Sequence, residues 1–327
     1  MKTKLFLLMG VCAAMLTSCD QDIVNEIYLP GGSGSVTVTD STKTGYLSIN
    51  TSIAPSESTT RAATRAVNDQ WENGDAIGVY ANYASGSSWF SNGKFTRKDN
   101  TQQFVSANTY YYQDQEACTL KAYYPYNAAA TASNPSVAFA CSAMATAQGQ
   151  KATDFMYATG TARWAATPNL VFQHKMTRVV FNIIAGDGFT GTLNGGKVST
   201  ELLNADFTLY AIVNGTFNTQ TGVVTAGTNY NTLMLSGTNN STSGVAHCLS
   251  FEMILPPQST ENIEFQLVTD TDISLTSVIG NESAYSKWEA GYTYTYNVAC
   301  NKESLSILST SINPWVSKDK ETITPTE

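Results

Sequence analysis

Apolar and polar residues alternate with a period of two in run after run along this chain. The clearest case is Tyr292-Thr293-Tyr294-Thr295-Tyr296, with tyrosines on one face and threonines on the other. That is the spacing of a β-strand with one buried face. Tyr46 to Ile53 alternates in the same way and predicts a half-buried strand close to the start. Trp71 to Tyr80 places an Asn73-Gly74-Asp75 turn before another strand. Further strands are predicted over Thr119 to Tyr124, Asp154 to Thr159, Leu170 to Phe172, Thr177 to Ile184 and Phe207 to Val213. The series continues through Leu249 to Leu255, Ile263 to Val268, Tyr292 to Ala299 and Leu305 to Ile312. Gly, Asn and Pro clusters separate these runs, and no segment holds a 3.6-residue period beyond about three turns. The pattern predicts an all-β chain of β-sandwich domains with little helix.

Ahead of the first strand the pattern changes. Lys2 and Lys4 begin a leader over residues 1–18, and Leu5 to Leu16 is apolar but too short to cross a bilayer as a helix. The leader closes on Leu16-Thr17-Ser18-Cys19, and a small residue before cysteine is what a lipoprotein signal peptidase requires. Cys19 is thus the predicted lipidation site. Its thiol would take a diacylglycerol and its freed amine a further chain such as palmitate, and two or more chains anchor a protein stably. The alternative is an ordinary secretory leader with an incidental cysteine. Asp20 to Lys43, with Gly31-Gly32-Ser33-Gly34-Ser35, reads as a flexible tether. Ala54 to Ala66 is small and polar and contains Arg61 and Arg65. Loops of that kind are favoured sites of nicking, here by an arginine-specific protease.

Some 300 residues follow the leader, enough for two domains. Charged residues make up 13% and aromatics 11%, with 17 Tyr and 5 Trp, a composition of exported β-structure rather than of a helical enzyme. A net charge of −8 without a basic stripe excludes nucleic acid as a partner. Cys118, Cys141, Cys248 and Cys300 remain after Cys12 and Cys19 are assigned, and none has C-x-x-C spacing. Cys118 and Cys141 either pair across neighbouring strands or stay as buried thiols. His174 and His247 have no acidic partner at a motif spacing, so His174 reads as structural. Asp270-Thr271-Asp272 lacks the turn glycine and distal Glu of a calcium loop. Nucleophile elbows and phosphate loops are absent as well. No catalytic, cofactor-binding or metal-binding residue is predicted. Trp164, Trp288 and Trp315 either pack in the core or stack on sugars, which keeps a surface glycan-binding lipoprotein as a second reading.

One ordered set of segments resembles the fimbrillin family, the type V pilins. It begins with Arg65-Ala66 and Trp71-Glu72-Asn73-Gly74-Asp75-Ala76-Ile77-Gly78-Val79-Tyr80. Phe172-Gln173-His174-Lys175-Met176-Thr177-Arg178-Val179-Val180 and Ile254-Leu255-Pro256-Pro257-Gln258 follow, then Trp288-Glu289-Ala290-Gly291-Tyr292-Thr293-Tyr294 and Trp315. The resemblance implies two tandem transthyretin-like or immunoglobulin-like sandwiches, divided here as residues 66–168 and 169–327. It also implies an outer-membrane lipoprotein precursor whose residues 19–65 form a propeptide carrying the first strand. An arginine-specific protease would cut after Arg65 or Arg61, and the body would polymerise with other pilin subunits on the cell surface by strand exchange. The charged end, Val316 to Glu327, departs from the donor appendage of stalk subunits and leaves a tip or accessory position open. Leu305 to Ile312 has better donor character, with Leu305, Ile307 and Ser309 on one face and Leu308 and Ile312 off it. It could equally be a fixed strand of the C-terminal sandwich.

Overall fold

The structure, a computed structural model, describes residues 45–54, 71–99, 101–112, 115–141, 147–164, 166–186, 191–193, 197–199, 204–238, 248–269, 274–280 and 286–315. Cys19 and the leader, the tether, Arg61, Arg65, His247, Asp270-Thr271-Asp272 and residues 316–327 lie outside these described residues.

The first half contains β1 (Ile49–Ile53), β2 (Ala76–Tyr83), β3 (Ser88–Arg97), β4 (Gln103–Val105), β5 (Cys118–Tyr124), β6 (Ser136–Ala140), α1 (Ala147–Thr153), β7 (Met156–Ala162) and β8 (Asn169–His174). Apart from β6, its strands form one closed sheet in the order β1-β4-β3-β2-β5-β7-β8. Closure needs bent strands. Val79 of β2 pairs with Gly93 and Ala81 with Phe90, so β3 carries one extra residue there. Asn92, in that bulge, has φ of +49°, a left-handed conformation that asparagine tolerates better than most residues. The Tyr123 hydroxyl donates to Asn92 Oδ1 at 2.7 Å, and Asn92 Nδ2 donates to the carbonyl of Asn127 at 3.0 Å.

The second half contains β9 (Thr177–Ala185), β10 (Gly191–Leu193), β11 (Lys197–Ser199), β12 (Asn204–Ile212), β13 (Asn214–Asn218), β14 (Val224–Ala226) and β15 (Tyr230–Thr238). β16 (Cys248–Leu255), β17 (Gln258–Ser259), β18 (Glu264–Thr269), β19 (Ser274–Val278), β20 (Lys287–Trp288), β21 (Tyr292–Cys300) and β22 (Leu305–Pro314) complete it. Two four-stranded sheets, β15-β12-β18-β19 and β16-β9-β21-β22, face each other. Phe181 of β9 meets Phe207 of β12 and Phe265 of β18 with ring centroids 4.8 and 5.1 Å apart. β6 joins β13 and β14 in a three-stranded sheet.

The all-β class is as expected, with α1 the one helix among the described residues. The first half differs from an open sandwich. Because β1 bonds β4 on one side and β8 on the other, its sheet closes into a barrel. One apolar core fills the barrel, and a second, built mainly from the strands of the second half, also takes in Tyr80, Tyr123, Cys141 and Phe155 of the first. Residue 169, where the C-terminal domain was expected to open, begins β8, and β8 pairs with β1 and β7 in the barrel.

Candidate functional site

The strand expected over Tyr46 to Ile53 closes the barrel. Leu47, Ile49, Thr51 and Ile53 point inward and are 2%, 0%, 1% and 7% exposed, while Ser48, Asn50 and Ser52 face out. Ile49 and Asn50 pair antiparallel with Phe104 and Gln103 of β4, and Asn50 to Ile53 pair in parallel with Asn169 to Phe172 of β8. Bonds outside the ladders extend this grip. Leu47 N donates to the Tyr110 carbonyl and Thr51 N to that of Gln102, both at 2.9 Å. Asn50 N donates to Pro168 O and Ala54 N to Phe172 O at the same distance. Burying Leu47, Ile49 and Ile53 contributes roughly 5–9 kcal/mol as an upper estimate. Removing the strand would expose that surface and leave two rows of unpaired backbone groups, so the vacated seat strongly favours a replacement strand.

Beyond residues 55–70 the chain returns at Trp71, which packs into the same core. Its indole meets Phe104, Tyr124 and Phe172 edge to face at 5.0, 5.3 and 5.2 Å, and its carbonyl accepts from Arg97. The Trp-x-x-Gly-Asp motif that follows is a turn: Gly74 has φ of +89°, and Glu72 N donates to Asp75 Oδ2 at 2.6 Å. Asp75 accepts from the Tyr124 hydroxyl at 3.1 Å and pairs with Lys151 of α1 at 2.6 Å. Burial first, then the Asp75 charge, raises the Tyr124 pKa. Partial burial pulls the Lys151 ammonium down, but the Asp75 and Glu72 carboxylates outweigh this and the net shift is upward. Gly78 lies under Tyr123, where a Cβ would come within 2.2 Å of the ring.

The candidate donor residues lie on β22, an edge strand paired antiparallel with β21. Leu305 is 7% exposed, Ile307 and Ile312 pack against the core, and Leu308 is 58% exposed. Ile312 therefore shares the face of Leu305 and Ile307, whereas uninterrupted alternation places it off that face. The cause is a bulge: Val298 pairs with Ile307 and Asn297 with Ser309, so Leu308 is an extra residue and the alternation resumes one position later.

His174 has a partner that the sequence does not reveal. Its Nδ1 lies 2.7 Å from Asp154 Oδ1, and both side chains are fully enclosed. The Trp315 ring lies flat on the imidazole, with centroids 3.9 Å and planes 2° apart. His174 Nε2 and Asp154 Oδ2 have no hydrogen-bond partner. The pairing follows from β7 and β8 being antiparallel neighbours, which brings His174 opposite Met156, two residues past Asp154. Trp288 and Trp315 are each 1% exposed, which removes them as sugar platforms. Cys118 and Cys141 are buried in different cores and do not form a disulfide with each other.

Residues 64–315 match a family model described as fimbrillin-like. A candidate cell adhesion protein from Bacteroides ovatus is similar in structure, with a TM-score of 0.65 and 22% identity over 84% of this chain and 99% of that one. A second, from Bacteroides uniformis, has a TM-score of 0.62 and 20% identity over 83% and 98%. The tip fimbrial protein Mfa3 from Porphyromonas gingivalis, truncated at its C-terminus, has a TM-score of 0.47 and 12% identity over 83% and 99%. No match is found among the curated proteins.

Proposed function

This chain belongs to the fimbrillin-like family, and from that premise we propose that it is a structural subunit of adhesive cell-surface fimbriae. It is made as an exported precursor, lipidated at Cys19 and held at the outer membrane. An arginine-specific protease cuts after Arg65 or Arg61, and the subunit then polymerises by strand exchange. The observation that carries this reading is the seat of β1. A strand with hydrogen-bonded neighbours on both sides and four inward side chains is joined to the rest of the barrel through the segment that contains both arginines. While that segment is whole, the strand acts on its seat at an effective concentration on the order of millimolar, too high for an outside donor to compete. Cleavage ends that advantage and separates the body from the lipid at once.

Replacing Arg61 and Arg65 together with Ala tests the proposal. The variant is expected to stay a membrane-bound monomer, whereas purified precursor treated with an arginine-specific protease is expected to give shortened subunits that form heat-resistant ladders. Fibres from the double variant at the wild-type level would remove the arginine segment from the mechanism.

A further inference from the structure

Between β6, the end of α1 and the turn after β5 lies a cavity of about 250 Å3 that takes no part in the proposed assembly. Its lining is largely aromatic. Phe155 and Phe217 stack at 4.6 Å with planes 19° apart, and Phe139 of β6 meets Phe155 at 5.1 Å. Phe155 and Phe217 are buried, whereas Phe139 and Tyr126 are half-buried. The exposed Ala138, Ala140 and Ala152 bring the cavity to the surface.

Polar groups reach it mainly from the main chain. β6 is an edge strand whose one partner among the described residues is β13. Cys141 N donates to Val213 O at 2.6 Å and Thr219 N to Pro135 O at 2.9 Å. Bonded and non-bonded pairs alternate along an antiparallel ladder, so Val137 and Phe139 also direct their main-chain groups to β13. Those of Ala138 and Ala140 point the other way, along the free edge, and both residues line the cavity. Asn127 adds a side-chain amide, whose Oδ1 accepts from Ala129 N at 2.8 Å and leaves Nδ2 as a donor. Asn92 holds that turn in place, with its Nδ2 donating to the carbonyls of Asn127 and Ala130 at 3.0 and 2.6 Å.

The lining selects the chemistry of an occupant. No residue lining the cavity is charged, and the whole chain has a net charge of −8. A carboxylate or phosphate would lose its water there without gaining a counter-charge. A purely apolar ring would leave the main-chain groups of Ala138 and Ala140 without partners. An extended peptide would pair with them, but the volume is below the roughly 300–1,000 Å3 of sites for drug-sized ligands. Ala152 and Thr153 of α1 bound the same space, which leaves room for one ring rather than a strand. A neutral pyranose meets both demands: its C–H face packs on the electron-rich faces of aromatic rings, and the hydroxyls round its rim donate and accept.

We propose that this cavity binds a single neutral pyranose, the terminal residue of a glycan, with its C–H face on Phe139 and its hydroxyls on the Ala138–Ala140 edge and Asn127. The inference gives a ligand class to the adhesive part of the proposed function; it rests on that part and on no step of strand exchange.

The test uses the uncleaved full chain with Arg61→Ala and Arg65→Ala, in which β1 keeps its seat. Methyl glycosides of glucose, galactose, mannose and fucose are offered singly, and saturation-transfer NMR reads binding. At least one is expected to bind with a Kd of about millimolar, ordinary for so small a ligand. Ala152→Trp fills the cavity from an exposed position and should abolish the signal, while Phe139→Leu keeps bulk but removes the ring and should weaken binding about tenfold. An unchanged urea midpoint shows that each variant is folded. Binding by none of the four, or binding that survives Ala152→Trp, overturns the site. Phenol or a short alternating Thr/Val peptide binding where no glycoside does overturns the ligand class, and N-acetylneuraminic acid binding as tightly as the neutral sugars does the same. Full affinity in Phe139→Leu overturns the stacking. None of these results touches fibre assembly, and a chain that binds glycosides but forms no fibres after cleavage keeps the site and loses the strand exchange.

Discussion

Tyr112 shows how a single residue takes a cost in this fold. Its amide donates to the Gly45 carbonyl at 3.0 Å and its ring packs on Trp89 at 4.9 Å, but its hydroxyl is buried without a partner. Burial, then the nearby Cys118, pushes its pKa up to about 12, against about 10 in an unfolded chain. Between those values the native state keeps a proton that the unfolded state has released, so stability falls as pH rises through that window and is unaffected below it. Tyr112→Phe should raise stability by about 1 kcal/mol at pH 8 and lessen the loss between pH 8 and 11, as read by urea unfolding. A destabilised Phe variant would mean that the hydroxyl is bonded. The buried histidine gives a second prediction. His174→Ala leaves the enclosed Asp154 carboxylate unpaired and should cost about 3–5 kcal/mol. Adding Asp154→Ala should recover part of that loss in the same measurement. Neither member of this pair is legible as a pair in the sequence, because 20 positions separate them and only the β7–β8 ladder closes the gap.

At the scale of elements, alternation made some strands plain and hid others. β5 begins one residue before its expected start and β21 ends one residue past its expected end, since each alternates over its first part before a last stretch buried on both faces. β3 was hidden because Ser91-Asn92-Gly93 has the composition of a turn; here it is a bulge that bends a single strand. The faces of β22 depart from plain alternation for the same reason, since one extra residue reverses every assignment beyond it. The inward row of β1 gives a direct check. Ile49→Ala should cost about 2–5 kcal/mol and Asn50→Ala no more than about 0.5 kcal/mol, compared by chemical denaturation of the uncleaved chain. Equal losses would mean that β1 is not packed as described.

For the whole molecule, order in sequence and partition in space diverge. β6 leaves the first half to pair with β13, while β7 and β8, on either side of the expected division at 168/169, are hydrogen-bonded to each other. Composition fixes the all-β class because Tyr, Thr and Val suit a pleated, half-buried surface wherever it lies. Which strands share a sheet depends on contacts between distant residues that no local pattern records. The proposed lipid at Cys19 has a direct check: Cys19→Ala should abolish fatty-acid labelling, and persistent label would show that no lipid is attached at this cysteine. The pairing of β1, antiparallel to β4 and parallel to β8, has a consequence at larger scale. A strand has a direction, and this seat admits one direction only. On the proposed strand exchange each junction joins unlike surfaces, a vacant seat and a donated strand, and such head-to-tail steps grow as an open line where the rotation between copies does not close. Such a fibre is polar. One end shows a vacant seat and the other an undonated strand, so each end needs a cap of its own chemistry.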